Sequence, residues 1–301
     1  MFKLAVITDE VSQELDTVIA FARQFSLQGL EIRSLWDRGP FDMTGEDVRR
    51  IRDKTAEAGL AVCCIGSPFF KCDIDDEAAI RAHMEGLRRC CGMAHQLGAG
   101  LIRGFSFWKK PGISPEQIAE RLRPAMELMQ RERLTLVLEP DPAVNTPNGR
   151  ALAALLRLLP GQAGALWDPG NIPFDNAGEI PYPDGFEAVR SRLRHVHLKD
   201  SRRENGAPMV VPVGEGVVDM KGQLGRLLAE GYDGWVSLET HYRLNRTLSE
   251  ESLRLPGGGD FSDGGWEASA DCMERLRNML QELQKQHNCP TIIPTRKGDC
   301  I

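Results

Sequence analysis

With 301 residues, 42% hydrophobic and 27% charged, the chain can build a large core, either as two ordinary domains or as one large α/β barrel. A formal net charge of −6 disfavours a nucleic-acid backbone as the main partner, although one locally positive pocket could still take an anion. No apolar run approaches the roughly 18–20 residues of a membrane span, and the opening MFKLAVITDE has neither the length nor the cleavage site of a signal peptide, so no membrane partner and a cytoplasmic protein are expected.

In chain order, KLAVIT (3–8) predicts the first strand, and the helix pattern LDTVIAFARQF follows with Leu15, Val18, Ile19, Ala22 and Phe25 near a 3.6 period. GLEIRS (29–34) predicts the second strand. TGEDVRRIRDKTAEAG then reads as a helix opened by Thr44 with Asp47 three residues on, and closed by Gly59. LAVCCIG (60–66) and GLIRGF (100–105) predict strands three and four. The adjacent pairs Cys63–Cys64 and Cys90–Cys91, without any C-x-x-C, fit neither a zinc ribbon nor a disulfide framework and read as buried thiols. His83 and His95 fall within a predicted helix.

Ser114 and Pro115 open the next helix as N-cap and first helical residue, and Pro124 is expected to kink it. LTLVLE (134–139), GALWD (164–168), RHVHLKD (194–200) and GWVSLE (234–239) predict strands five to eight, with a helix capped by Asp219 and stopped by Gly231 before the last. The glycine-rich LPGGGDFSDGGW (255–266) reads as a mobile loop before a final helix over 267–286. Eight strands alternating with helices predict an α/β fold of the (β/α)8 TIM barrel kind, a parallel eight-stranded barrel with outer helices. No G-x-G-x-x-G or P-loop supports an open doubly wound sheet. The expected organisation is one barrel domain over 1–288 and a C-terminal tail over 289–301.

In such a barrel the chemistry sits at the C-terminal strand ends. Strands five to eight end in Glu139, Asp168, His197 and Glu239, separated by 29, 29 and 42 residues. The first two gaps fit one strand plus its helix, and the third carries an inserted loop. An acid after a strand is commonly a helix cap, and a strand histidine commonly makes a local hydrogen bond. Four such residues on four consecutive strand ends point instead to a divalent-cation site. Without a cation, three carboxylates meeting in a dry pocket would repel one another. Three carboxylates and one imidazole suit one divalent metal ion, Mn2+ first, with Mg2+, Co2+ and Zn2+ also compatible.

The sequence resembles the xylose-isomerase-like TIM barrels, which include sugar phosphate isomerases and epimerases, ketose 3-epimerases, hydroxypyruvate isomerases and inosose dehydratases. LEIR (30–33), LVLEP (136–140), WDPGN (167–171), HVHLKD (195–200) and VSLET (236–240) carry the resemblance. It implies a metal held by Glu139, Asp168, His197 and Glu239, with Glu139 and Glu239 also exchanging protons on opposite faces of a small carbohydrate substrate. It therefore implies an isomerase or epimerase working through an enediolate on a small ketose, sugar acid or cyclitol, phosphorylated or not. A lyase on the same scaffold is the alternative. Asn171 stands where the ketose 3-epimerases carry a substrate-binding histidine. Arg203 matches an arginine that often holds a substrate oxygen, and Arg202 is its stand-in.

Glu31, Arg33, Arg103 and His241 lie at further strand ends and join Asn171, Lys199 and Arg203 as expected substrate-binding residues. Trp36, Phe69, Phe107 and Trp108 are candidates for an apolar wall. Lys71 and Lys109 read as solvated surface. His195, one turn of the pleat below His197, is expected to bond a neighbouring strand. Endonuclease-like chemistry would need more than the six histidines present and a basic groove. A homo-oligomer is compatible with this reading.

Overall fold

The computed structural model describes residues 1–287, so the expected tail over 289–301 lies outside the described residues. The apolar runs become β1 (Lys3–Ile7), β2 (Gly29–Ile32), β3 (Ala61–Phe69), β4 (Leu101–Gly104), β5 (Thr135–Leu138), β6 (Ala163–Trp167) and β7 (Leu193–Leu198). A short antiparallel hairpin, β8 (Asp200–Glu204) with β9 (Ala207–Val211), precedes β10 (Trp235–Leu238). β1 to β7 and β10 close into a barrel in the order β1-β10-β7-β6-β5-β4-β3-β2, with every pair parallel.

The main outer helices are α1 (Leu15–Gln24), α2 (Gly45–Ala58), α3 (Glu77–Leu97), α4 (Pro115–Glu132), α5 (Gly149–Leu158), the short α6 (Phe186–Val189) and α7 (Met220–Ala229). The mouth carries α8 (Glu250–Arg254) and α9 (Gly258–Ser262), and α10 (Gly265–His287) ends the barrel. The caps form as their residue types require. Thr44 and Asp47 make a reciprocal capping box on α2, Ser114 and Gln117 another on α4, and Gly59 takes the left-handed conformation at φ 68°. α4 is a single helix running through Pro124.

Strand alternation sorts the core into two layers. On β7, Val196 and Leu198 face outward into the large strand–helix core, while His195 and His197 point into the barrel. A small interior cluster of Ala5, Cys63, Cys64, Val137 and Leu166 fills the barrel with apolar side chains. Glu139 and Asp168 lie on the same inward-facing alternation as Val137 and Leu166, two residues further along their strands. The barrel thus has an apolar floor and a polar mouth.

Two expectations are corrected here. The extra length between His197 and Glu239 is the β8–β9 hairpin, and Asp200 at its start ties down the segment that follows it. That carboxylate accepts backbone hydrogen bonds from Ser201, Gly214, Gly216 and Val218, so it is a scaffold group. The glycine-rich segment is not a free loop. Its α9 turn is docked, with Gln13 donating to Ser262 (2.9 Å) and Gly259 N donating to Asp37 (2.6 Å). Among the described residues no helix is long and apolar enough to cross a membrane.

Candidate metal centre

Glu139, Asp168, His197 and Glu239 meet at the mouth, each offering a ligand atom within 4.8 Å of the others. All four side chains are buried. Asp168 combines the two roles that its position allowed. Its Oδ1 caps the turn Pro169–Phe174 by accepting from Gly170 N at 2.9 Å, which leaves Oδ2 turned inward. The turn packs closely on the end of β7. A Cβ at Gly170 would lie 2.6 Å from the Lys199 carbonyl oxygen, so only glycine fits there.

The glutamates are held symmetrically. Arg103 Nη1 donates to Glu139 Oε2 (3.2 Å), and Arg33 Nη1 donates to Glu239 Oε1 (2.6 Å). The remaining oxygens, Glu139 Oε1 and Glu239 Oε2, lie 3.6 and 3.4 Å from His197 Nδ1. Lys199 Nζ donates to Glu239 Oε2 (2.7 Å) and lies 2.5 Å from Asp168 Oδ2, an ion pair without hydrogen-bond alignment.

The electrostatics follow from burial. Burial works to raise the Glu139 carboxyl, but Arg103 and His197 outweigh it and hold the group down to about 2. Glu239 is likewise pulled well below its ordinary range, by Lys199, His241 and His197 against its burial. Asp168 goes the other way. Burial pushes it up, and repulsion from Glu239 and Glu139 keeps it well above the usual carboxylate value despite Lys199.

A divalent ion fits this donor set on two counts. His197 Nδ1 is buried inside the cluster without a hydrogen-bond partner, facing Glu139 Oε1 and Glu239 Oε2. The contact network joining the site contains six buried carboxylates (Asp9, Glu10, Glu31, Glu139, Asp168 and Glu239) against four permanent cations (Arg33, Arg103, Lys199 and Arg243). A divalent ion would offset this excess of carboxylates over lysine and arginine side chains.

The other expected residues divide into those that reach a cavity and those that do not. Asn171, Lys199 and His241 line a mouth cavity of about 450 Å³ together with Asp141, Phe174 and Arg254. Asn171 donates to Glu139 Oε1 (3.3 Å) and to the Pro140 carbonyl (2.9 Å). Arg33 and Arg103 line an adjoining cavity of about 310 Å³. Arg203 sits on the hairpin instead, donating to the Pro173 and Gly206 carbonyls and to Asn176, so it braces β8 rather than lining the mouth.

Glu31 lies below the cluster, fully buried. Its Oε2 meets His195 Nε2 at 2.8 Å and His197 Nε2 at 3.1 Å. His195 therefore bonds across the barrel to β2, not to a neighbouring strand. The same contact makes Glu31 a positioning group: with Nε2–H donated downward, His197 presents Nδ1 to the ligand oxygens. Glu31→Gln is expected to weaken divalent-metal affinity by roughly 10–100-fold in a folded protein. An unchanged Mn2+ dissociation constant by calorimetry would show that Glu31 does not orient His197.

Strand one contributes residues that the strand-end reasoning passed over. Asp9 and Glu10 follow β1 directly and both bind Arg33, at 2.9 and 2.7 Å, while Glu10 also meets His241 Nδ1 at 2.7 Å. The signal was present, since TDE after an apolar run is another acidic strand end. Phe70 inserts between Phe69 and Phe107, with ring centroids 3.9 and 4.1 Å apart, and Trp108 carries the Arg254 guanidinium at 4.1 Å. Trp36 instead packs against Arg50. Lys71 is not surface: its ammonium pairs with Asp141 at 2.8 Å and is largely buried.

A closed parallel barrel with an acid- and histidine-rich cluster at its C-terminal mouth defines a (β/α)8 protein whose mouth carries a candidate metal site. The family profile described as Xylose isomerase-like TIM barrel matches residues 19–285, and the chain belongs to that family. It is similar to an inosose dehydratase of Geobacillus thermodenitrificans, at 25% identity over 72% of this chain and 71% of that protein. Among solved structures, a D-tagatose 3-epimerase-like protein superposes with a TM-score of 0.69 at 16% identity, covering 95% of this chain and 99% of the other. The IOLI protein with a bound zinc atom superposes with a TM-score of 0.71 at 13% identity, covering 94% and 99%.

Proposed function

We propose that the chain is a divalent-metal-dependent isomerase or epimerase that moves a proton at the carbon next to a carbonyl in a small ketose, sugar acid or cyclitol. One observation carries this reading: Glu139 and Glu239 flank a single point, each pinned through one oxygen by an arginine and turning the other toward His197 Nδ1. Glu139, Asp168, His197 and Glu239 would hold the ion, Mn2+ first. When bound, the ion supplies Lewis-acid stabilisation of the negative charge that develops on the substrate oxygen. The zinc in the structurally similar IOLI protein supports a metal here.

The chain's own groups do the rest. One glutamate removing the proton and returning it to the adjacent carbon gives isomerisation. The second glutamate delivering it from the opposite face gives epimerisation. Arg33 and Arg103 keep both carboxylates aimed.

A lyase is the second reading, and Lys199 favours it. Its buried ammonium lies 2.7 Å from Glu239 and could protonate a departing hydroxide while the glutamate takes the proton. The similarity to an inosose dehydratase points the same way, as does Asn171 at the position where the epimerases carry histidine.

The test is a screen of ketoses, keto acids and inososes with the Mn2+-loaded protein in D2O. Deuterium gained without loss of water is the expected result. Loss of water would establish the lyase. No exchange and no water loss with any member would refute proton transfer at this site.

A further inference from the structure

We infer that the substrate is uncharged, a polyhydroxy ketone carrying neither phosphate nor carboxylate. This rests on the function proposed above and narrows its substrate class.

An anionic group is bound by a cation with free N–H donors aimed at it. Five Lys or Arg side chains line the two mouth cavities: Lys199 and Arg254 in one, Arg33, Lys71 and Arg103 in the other. Four of them are committed. Arg33 spends its guanidinium on Asp9, Glu10 and Glu239. Arg103 spends its own on Glu139 and the Ser67 and Gly66 carbonyls. Lys199 lies between Asp168 and Glu239, and Lys71 between Asp141 and the Arg254 carbonyl.

Arg254 remains. Its guanidinium lies over Trp108 with no acidic partner among the described residues, but it is exposed, and Glu250 stands one turn earlier on α8 in the same cavity wall. The two charges offset one another at the distance of an entering substrate, and water screens both. The wall is better suited to hydroxyl groups. Asn171 and His241 offer polar ring and amide atoms, and the Glu250 carboxylate is an acceptor without a partner of its own among the described residues.

The experiment measures equilibrium binding, by broadening of ligand proton resonances with metal-free protein and by calorimetry with Mn2+-loaded protein. Unphosphorylated ketohexoses and inososes are compared with ketohexose 6-phosphates and 5-keto-D-gluconate, on wild type and on Arg254→Gln. The neutral compounds are expected to bind at least roughly tenfold more tightly than the anionic ones, with Arg254→Gln changing their affinity little. A phosphate or carboxylate bound more tightly than every neutral compound overturns the inference, and its loss in Arg254→Gln would assign the grip to that residue. Binding of neither class to the metal-loaded protein overturns the proposed function, and this inference with it.

Discussion

Glu139→Gln and Glu239→Gln are expected to stay impaired at saturating Mn2+, with at least one of them slower than wild type by on the order of 10²-fold or more. Glutamine preserves the size of the side chain and still presents an oxygen to an ion, so metal loading can be restored. The amide cannot accept a substrate proton. The two variants need not behave alike, because the environments differ. Glu239 touches Arg33, Lys199 and His241, whereas Glu139 has Arg103 and Asn171. Activity measured across a Mn2+ titration, with solvent deuterium tracked into each face of the substrate, separates ligand from base. Complete rescue of both variants would refute the two-base mechanism and leave a water as the base.

Arg33→Met should lower unfolding free energy by about 3–5 kcal/mol, the cost of breaking a buried ion pair from one side. The methionine fills much of the volume, but Asp9 loses its only ion-pair partner among the described residues, and Glu10 and Glu239 lose one each. Arg38→Met is the control. Arg38 pairs with Asp47 at 2.8 Å at the surface, where such a pair contributes about 0–1 kcal/mol. Urea unfolding of both variants measures the difference. Equal, small losses would mean that the buried network contributes no more than a surface pair.

The barrel and its four-residue cluster were legible because both depend on patterns local to one strand and its helix. Apolar runs alternate with capped helical segments, and each barrel strand ends within a few residues of its chemistry. The equal spacing from Glu139 to Asp168 to His197 is one structural repeat, and it survives folding intact. What the sequence hides depends on closure. Glu31 and His195 lie 164 positions apart and meet because β2 and β7 place side chains at the same height inside the barrel. The same holds for Arg33 with Glu239, on strands separated by β1.

Arg203 illustrates the opposite error. Its offset from His197 suggested the mouth, but an antiparallel hairpin carries it onto backbone carbonyls. Lys199 is expected from the sequence only to meet substrate, whereas its ammonium sits among the ligand carboxylates. That arrangement comes from Gly170 letting the Asp168 turn lie directly on the end of β7.

The most direct measurement is the metal stoichiometry and affinity of His197→Ala beside wild type, by elemental analysis and Mn2+ titration, with circular dichroism as the folding control. Wild type is predicted to bind one divalent ion per chain. The variant, folded because its apolar floor lies below the change, is predicted to lose most of that affinity, roughly 10-fold or more. A folded His197→Ala protein that binds the same ion with the same stoichiometry and affinity would contradict the four-residue metal centre.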